Sequence, residues 1–517
     1  MKVIRYKYLP LILLAIVCLW SILPLLHTGF FVSDDGEWMI IRLTAFHQAL
    51  ASGEFPVRWL GRLDFAYGYP VANFLYPGFL YVGELIHLFH ISFVNSIKIV
   101  IGLSLIGSGF FSYLWLKRFF EPIVASIGAI FYLFAPYHLY DVYVRGSVGE
   151  NLALAVIVFV FWQIERKSFL LSTLGIGFLI LSHNTLAALF LPIVVLYLVL
   201  RKKELQYSWR EIMLQIFLGL GASAFFWIPA LYDLQYTAFA QTIVSDWKSY
   251  FALFSLSQPF ILSIFIGAVF IIQDRGNFRR EIMPLFFLTV TALPLFLSSE
   301  FSSFLWMYLP ISFIQFPFRL LSVTLLGGTF LSCYLLSHAK NWLPFWAVFT
   351  LITIIFSAVP FLTPKQYIDK GEGFYLTNED STTVKREYTP IWVKQKPAER
   401  PTAVFSAPNA TLTPLKVKSN FAQVKVVNSQ PTTLTFNQHY FPGWFVFLNG
   451  LPLSRSHLHI DNPQGVMQVD VPRDSVVTFE FHETPLRLTA DILSLVSLVS
   501  IGVLSILFAR KKGWKYL

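Results

Sequence analysis

The chain has 517 residues, of which 56% are hydrophobic and 17% aromatic, and only 13% are charged. A soluble chain of this size carries about 25% charged residues, so a soluble multidomain enzyme, a disordered tail protein and a nucleic-acid partner are excluded. The formal charge of +10 belongs, in a chain solvated by lipid, to loops whose cations record orientation.

The expected class is an α-helical polytopic membrane protein. Lys2, Arg5 and Lys7 precede an apolar run from Leu9 to Leu26. No A-x-A-like site precedes Thr28, so the run reads as an uncleaved first span with a cytoplasmic N-terminus rather than a signal peptide. Further spans are predicted at 97–116, 122–138, 150–164, 168–182, 185–200, 212–231, 252–273, 282–298, 320–337, 342–360 and 488–509, about twelve with the first. The stretch 74–93 is also apolar, but it opens on Pro77-Gly78 and carries Glu84, His87 and His90 at helical spacing. It is predicted to be re-entrant or interfacial. That choice places Lys117/Arg118, Arg166/Lys167, Arg201 to Lys203 and both termini in the cytoplasm, as the positive-inside rule requires. Cys18 and Cys333 lie inside apolar runs, so no disulfide framework is implied.

Three regions follow: a transmembrane domain over 1–360 with a large first extracytoplasmic loop at 29–97, an extracytoplasmic β-rich domain over 361–485, and a last span with a basic tail over 486–517. Within the second, Val424-Lys-Val-Val, Thr432-Thr-Leu-Thr-Phe, Trp444-Phe-Val-Phe-Leu and Val476-Val-Thr-Phe-Glu-Phe are predicted strands, and Asn449-Gly450 a hairpin turn. They describe a small β-sandwich.

Charge kept near an apolar span is costly, so each such residue is a functional candidate. In Ser33-Asp34-Asp35-Gly36-Glu37 the adjacent carboxylates Asp34 and Asp35 suit a general base or a divalent cation such as Mg or Mn. Asp34 and Glu37 also have capping-box spacing, opening a helix with Met39, Leu43, Phe46 and Leu50 as its apolar stripe. Further on, the Arg145 fork suits a phosphate, while Asp141 and Arg145 equally suit an i,i+4 pair and Glu150 a helix N-terminus. His183 and Asn184 end a span, and Arg319 opens another, as an anchor for an anionic headgroup or as a snorkelling cation. Arg42, Arg58 and Arg62 share the first loop with Asp34 and Asp35, against the positive-inside bias. Glu84, His87 and His90 lie near one helical face, but no H-E-x-x-H accompanies them and no metal site is assigned. Walker A, G-x-G-x-x-G and G-x-S-x-G are missing, so nucleotide hydrolysis, dinucleotide binding and a lipase-type triad have no support.

Ala51-Ser-Gly-Glu-Phe-Pro-Val-Arg-Trp, Tyr67-Gly-Tyr-Pro-Val-Ala-Asn-Phe-Leu-Tyr-Pro, Tyr143-Val-Arg-Gly-Ser-Val-Gly-Glu-Asn-Leu-Ala, Leu181-Ser-His-Asn and Gln315-Phe-Pro-Phe-Arg occur in that order. Glu387-Tyr-Thr-Pro and Tyr440-Phe-Pro-Gly-Trp follow. Over nearly the whole chain the series resembles bacterial membrane proteins labelled "6-pyruvoyl-tetrahydropterin synthase-related", which in turn resemble the GT-C glycosyltransferase superfamily. No soluble pterin-synthase core or zinc-histidine set is present, so pterin chemistry is not implied. The resemblance implies a polyprenyl-phosphate sugar donor, an extracytoplasmic glycan, lipid or protein acceptor, and residence in the bacterial cytoplasmic (inner) membrane. It casts Asp34 and/or Asp35 as the acidic motif, the 74–93 stretch as a juxtamembrane helix, and Arg145 and Glu150 as later groups of the same site. Catalysis is then expected of Asp34, Asp35 or Glu150, and substrate binding of Arg58, Asp141, Arg145, His183, Asn184 and Arg319. Competing expectations are a flippase for lipid-linked glycans, which calls for polar groups at the bilayer midplane, and a non-catalytic envelope-assembly protein.

Overall fold

The computed structural model describes residues 2–241, 246–273, 278–308, 314–338 and 342–512; the end of the predicted tail lies outside these. Among the described residues, eight helical segments are long and apolar enough to cross a membrane: Leu9–Leu26, Phe93–Leu116, Pro122–Arg145, Val148–Glu165, Asn184–Arg201, Pro317–His338, Leu343–Phe361 and Pro485–Phe508. Two bent pairs raise the number to ten, Trp209–Ala222 with Ala224–Tyr236 at 64° and Ile282–Leu297 with Glu300–Trp306 at 80°. All twelve predicted runs fall on helices, but one is short by this measure. Phe169–Ser182 has 14 residues, about 21 Å of helix against a hydrocarbon core of about 30 Å. Phe254–Gln273 has 20 residues. In the 74–93 stretch the helix Gly78–His87 has ten residues, too few to span.

The spans differ in how they use their apolar surface. Pro122–Arg145 and Pro317–His338 are 89% buried, whereas Leu343–Phe361 and Pro485–Phe508 are 17% and 22% buried. The first two form the centre of the bundle and the last two present their side chains outward, an arrangement that lipid tolerates and water would not. Arg145 and Arg319 sit on those two central segments.

The residues after the first span return to the chain far downstream. Strand β1 (Phe30–Phe31) pairs antiparallel with β2 (Tyr367–Ile368). Two further sheets contain β3 (Phe405–Ser406), β4 (Ala410–Lys418), β5 (Phe421–Asn428), β6 (Thr432–His439), β7 (Trp444–Leu448), β8 (Leu451–Pro452), β9 (Leu458–His459), β10 (Val466–Val471) and β11 (Ser475–Phe481). Their orders are β3-β6-β10-β9 and β4-β5-β11-β7-β8. Ala422, Val424 and Val426 on β5, Leu434 and Phe436 on β6, and Val477 and Phe479 on β11 are all buried. This period-2 burial is what two sheets packed face to face require. The four predicted strand segments fall on β5, β6, β7 and β11. Asn449 and Gly450 join β7 to β8 with φ of +52° and +80°, the two left-handed residues of a type I′ hairpin turn.

This β-domain is docked on the first loop. Trp59 is fully buried against Phe441, Trp444 and Phe481, and its indole N–H donates to Gln438 Oε1 at 3.1 Å. Phe74 stacks on Tyr388 at 4.9 Å between centroids. Burying side chains of this size contributes about 1.5–3 kcal/mol each, so loop and sheets form one packed layer at one end of the helices.

Candidate functional site

Two backbone hydrogen bonds bring the acidic segment to the Arg145 turn: Asp34 N donates to Val144 O (3.0 Å) and Asp35 N to Arg145 O (2.9 Å). Asp141–Arg145 is a π-helical turn, a conformation found disproportionately at functional sites. It ends at Gly146, whose φ is +68°. A Cβ there would lie 2.4 Å from Ser33 Oγ and 2.7 Å from Gly36 N, so both conformation and space demand glycine.

The capping box predicted from Asp34 and Glu37 does not form. The N-cap of Gly36–Ala51 is Asp35, and its side chain makes no cap hydrogen bond. Glu37 instead pairs with Lys370 at 2.9 Å and accepts from the Tyr375 hydroxyl at 3.2 Å. Neither Asp34 nor Asp35 accepts a hydrogen bond on its carboxylate from any described residue. Desolvation, then the charge of Asp35, raises the Asp34 pKa above the ordinary aspartate value, while Arg145 opposes the shift.

Beneath this segment lies a buried charge cluster. Arg145 pairs with Asp141, and with Glu150 Oε1 at 2.8 Å. Arg319 Nε donates to the same Glu150 oxygen at 2.9 Å, and its Nη1 to Ile314 O at 2.8 Å. The Tyr137 hydroxyl donates to Glu150 Oε2 at 3.2 Å. His183 caps the Asn184–Arg201 helix, its Nδ1 accepting from Leu186 N at 3.3 Å. That leaves Nε2 protonated toward Glu150 Oε1, 3.6 Å away. Glu150 is fully buried. One of its oxygens gathers two guanidiniums at one point. The rings of Phe316 and Phe318 complete the surroundings, with Arg145 over Phe318 at 5.1 Å and Arg319 over Phe316 at 5.1 Å.

The structure therefore brings together Asp34, Asp35, Asp141, Arg145, Glu150, His183 and Arg319. Asn184 is beside them but binds Phe74 O through Nδ2 at 3.0 Å. Arg58 is elsewhere: it pairs with Glu483 at 2.9 Å and Asp491 at 3.1 Å and donates to Phe225 O at 2.8 Å. Arg42 and Arg62 are likewise engaged, with Thr382 and with Tyr375 O, Ile41 O and Thr44. Glu84 pairs with His47 at 2.9 Å, and His87 Nδ1 meets Ile91 O at 2.8 Å. Among the described residues no group of three or more His, Cys, Asp or Glu is arranged to hold a metal. Sequence reasoning missed Tyr76, Tyr137 and the packing reason for Gly146. The signal for the last was the spacing Arg145-Gly-Ser-Val-Gly-Glu150, where a second glycine, Gly149, admits the Tyr76 ring.

The fold defines a helical membrane protein that carries a β-sheet domain at one end of its bundle. No family model matches the chain. It is similar to an uncharacterized protein of Lactococcus lactis subsp. cremoris (strain MG1363), 22% identical over 249 residues, and spans 41% of that relative's length and 45% of its own. Among solved structures it is similar to the arabinofuranosyltransferase AftD from Mycobacteria, with a TM-score of 0.48 and 14% identity over 70% of this chain and 28% of that one. It is also similar to the Archaeoglobus fulgidus oligosaccharyltransferase in the apo form, with a TM-score of 0.45 and 12% identity over 74% of this chain and 61% of that one.

Proposed function

We propose that the chain is a GT-C-type membrane glycosyltransferase of the bacterial cytoplasmic membrane, with both termini cytoplasmic and the β-domain outside. It moves a sugar from a polyprenyl-phosphate carrier to an extracytoplasmic glycan, lipid or protein acceptor. The observation that carries this reading is the docking of two unengaged carboxylates, Asp34 and Asp35, onto a turn whose Arg145 is joined to Arg319 through Glu150. Two cations bind a phosphate, and a carboxylate beside them deprotonates a hydroxyl. That the transferred group is a sugar is what the motif resemblance implies.

Asp34 or Asp35 takes the acceptor proton while the acceptor oxygen attacks the anomeric carbon, and the bond from that carbon to the phosphate oxygen breaks. Its electron pair leaves with polyprenyl phosphate, whose charge Arg145 and Arg319 stabilise. Attack opposite the leaving group inverts the anomeric centre. Phosphate leaves without a strong general acid, so one carboxylate suffices. A divalent cation, Mg or Mn, is compatible with Asp34 and Asp35 as ligands. The β-domain shapes the acceptor groove.

The test is transfer from a panel of polyprenyl-phosphate sugars in liposomes, with product read by mass spectrometry. Asp34→Asn, Asp35→Asn and the double variant should together identify the base, with a loss of about 10²-fold or more. Full activity in the double variant overturns the assignment.

A further inference from the structure

Tyr76 precedes the short helix Gly78–His87, and its ring lies over Gly149 and against His183. The centroid separation from His183 is 4.4 Å, and a Cβ at Gly149 would fall 1.9 Å from the ring. A buried tyrosine hydroxyl ordinarily finds a partner, and the neighbouring ones do. Tyr137 donates to Glu150, Tyr132 to Leu154 O, and Tyr143 to Ser21 O. Tyr76 is 8% exposed, yet its hydroxyl makes no hydrogen bond with any described residue. The charges that act on it are those of Arg42, Glu150, Asp35 and Arg319. The His183 ring it packs against faces Glu150 Oε1 at 3.6 Å, the oxygen on which Arg145 and Arg319 converge. Burial pushes the phenol pKa up, which makes it a neutral donor and disqualifies it as a base or nucleophile.

We propose that the Tyr76 hydroxyl donates a hydrogen bond to a phosphoryl oxygen of the lipid-linked donor, beside Arg319. The inference rests on the glycosyltransferase reading for its substrate. An anion seated on Arg145 and Arg319 offers an acceptor that the protein itself leaves out, and the ring is fixed in advance by Gly149 and His183. No proton is transferred.

Tyr76→Phe keeps the ring and removes the donor. In the full-length protein reconstituted in liposomes, the KM for donor should rise about tenfold, equivalent to about 1.4 kcal/mol. The KM for acceptor and the melting temperature should stay as in the wild type. Binding of polyprenyl monophosphate, which carries no sugar, should weaken by the same factor. An unchanged donor KM with unchanged lipid-phosphate binding overturns the contact, as does a rise confined to the acceptor KM. The two readings fail separately. If the wild type transfers no lipid-linked sugar but Tyr76→Phe weakens polyprenyl-phosphate binding, the transferase reading falls and the contact stands. If the wild type is active and the variant binds normally, only the contact falls.

Discussion

Two buried charge clusters lie at the end of the bundle that carries the β-domain, and they use their charges differently. At the junction of the first loop with the last span, Arg58 bridges Glu483 and Asp491. Asp233 Oδ2 accepts from both Asn73 and Arg487, each at 2.9 Å. Glu54 accepts the backbone N–H groups of Arg58 and Trp59 at 2.6 and 2.8 Å. These contacts tie the first loop, the Ala224–Asp233 helix and the root of the last span together. In the Arg145–Arg319 cluster, two guanidiniums converge on one oxygen of Glu150, and the carboxylates above them accept no hydrogen bond from the described residues. The first cluster links several elements and acts as a joint, although Arg487 Nη1 and Nη2 are buried in it without a hydrogen-bond partner among the described residues. The second gathers two guanidiniums on a single carboxylate, and it is the cluster that the glycosyltransferase reading uses as its site.

The largest effects should separate the two. Breaking a buried ion pair from one side costs about 3–5 kcal/mol, because the remaining charge is left uncompensated. Glu150→Gln and Arg58→Gln should each lower stability in detergent by that order. They should part in activity per folded molecule. Glu150→Gln should lose transfer by about 10²-fold or more, because both arginines lose their common anchor. Arg58→Gln should keep its turnover. Equal activity losses in the two folded variants would erase the distinction drawn between joint and site.

A second measurement addresses the joint alone. Burial lifts the Glu54 carboxyl to about 7, against the two backbone N–H groups and Arg58, with Glu483 adding to the rise. Tyr81 is a further ionisable group on which the Glu54 charge acts. A carboxyl whose pKa rises on folding supports the fold fully below its unfolded value of 4.5 and withdraws that support as pH climbs through about 7. The junction should therefore be tightest in acid and lose about 3 kcal/mol toward alkaline pH. Thermal unfolding should slope downward between about pH 4.5 and 7 and level off above that, and Glu54→Gln should flatten the slope. A slope that survives the substitution assigns the titration to another group.

Much of this was legible along the chain, for reasons of period and cost. Apolar runs mark helices, alternation marks β5 and β11, and Asn449-Gly450 marks its turn, because each is a local pattern. Asp141, Arg145, Glu150 and Arg319 stood out because a chain with few charges places them at a penalty. Partnerships were not legible. Arg58 meets Glu483 425 positions away, and Glu37 is drawn from its expected capping role by Lys370, 333 positions away. Tyr76 was inconspicuous among 23 tyrosines, and its place against His183, with no hydroxyl partner among the described residues, emerges only in the fold. The two glycines flanking Glu150 were visible as a spacing, but their reason is three-dimensional.

Gly146 allows the smallest and sharpest comparison, because strain and displacement can be told apart there. An L-residue in the left-handed region costs about 1–2 kcal/mol, and Gly146→Ala should pay at least that in stability. The added Cβ also falls on Ser33 and the Gly36 backbone, so the acidic segment must lift away from the Arg145 turn. Gly53 supplies the control, with φ of +92° and nothing within 4 Å of its Cβ. Gly53→Ala should carry a strain penalty of similar order and leave turnover unchanged. If Gly146→Ala lowers kcat by about tenfold or more beyond that control, the hydrogen bonds from Asp34 and Asp35 to residues 144 and 145 place a carboxylate where the reaction needs it. If the two variants differ only in stability, the close approach at Gly146 is packing, and the acidic segment reaches its working position by some other contact.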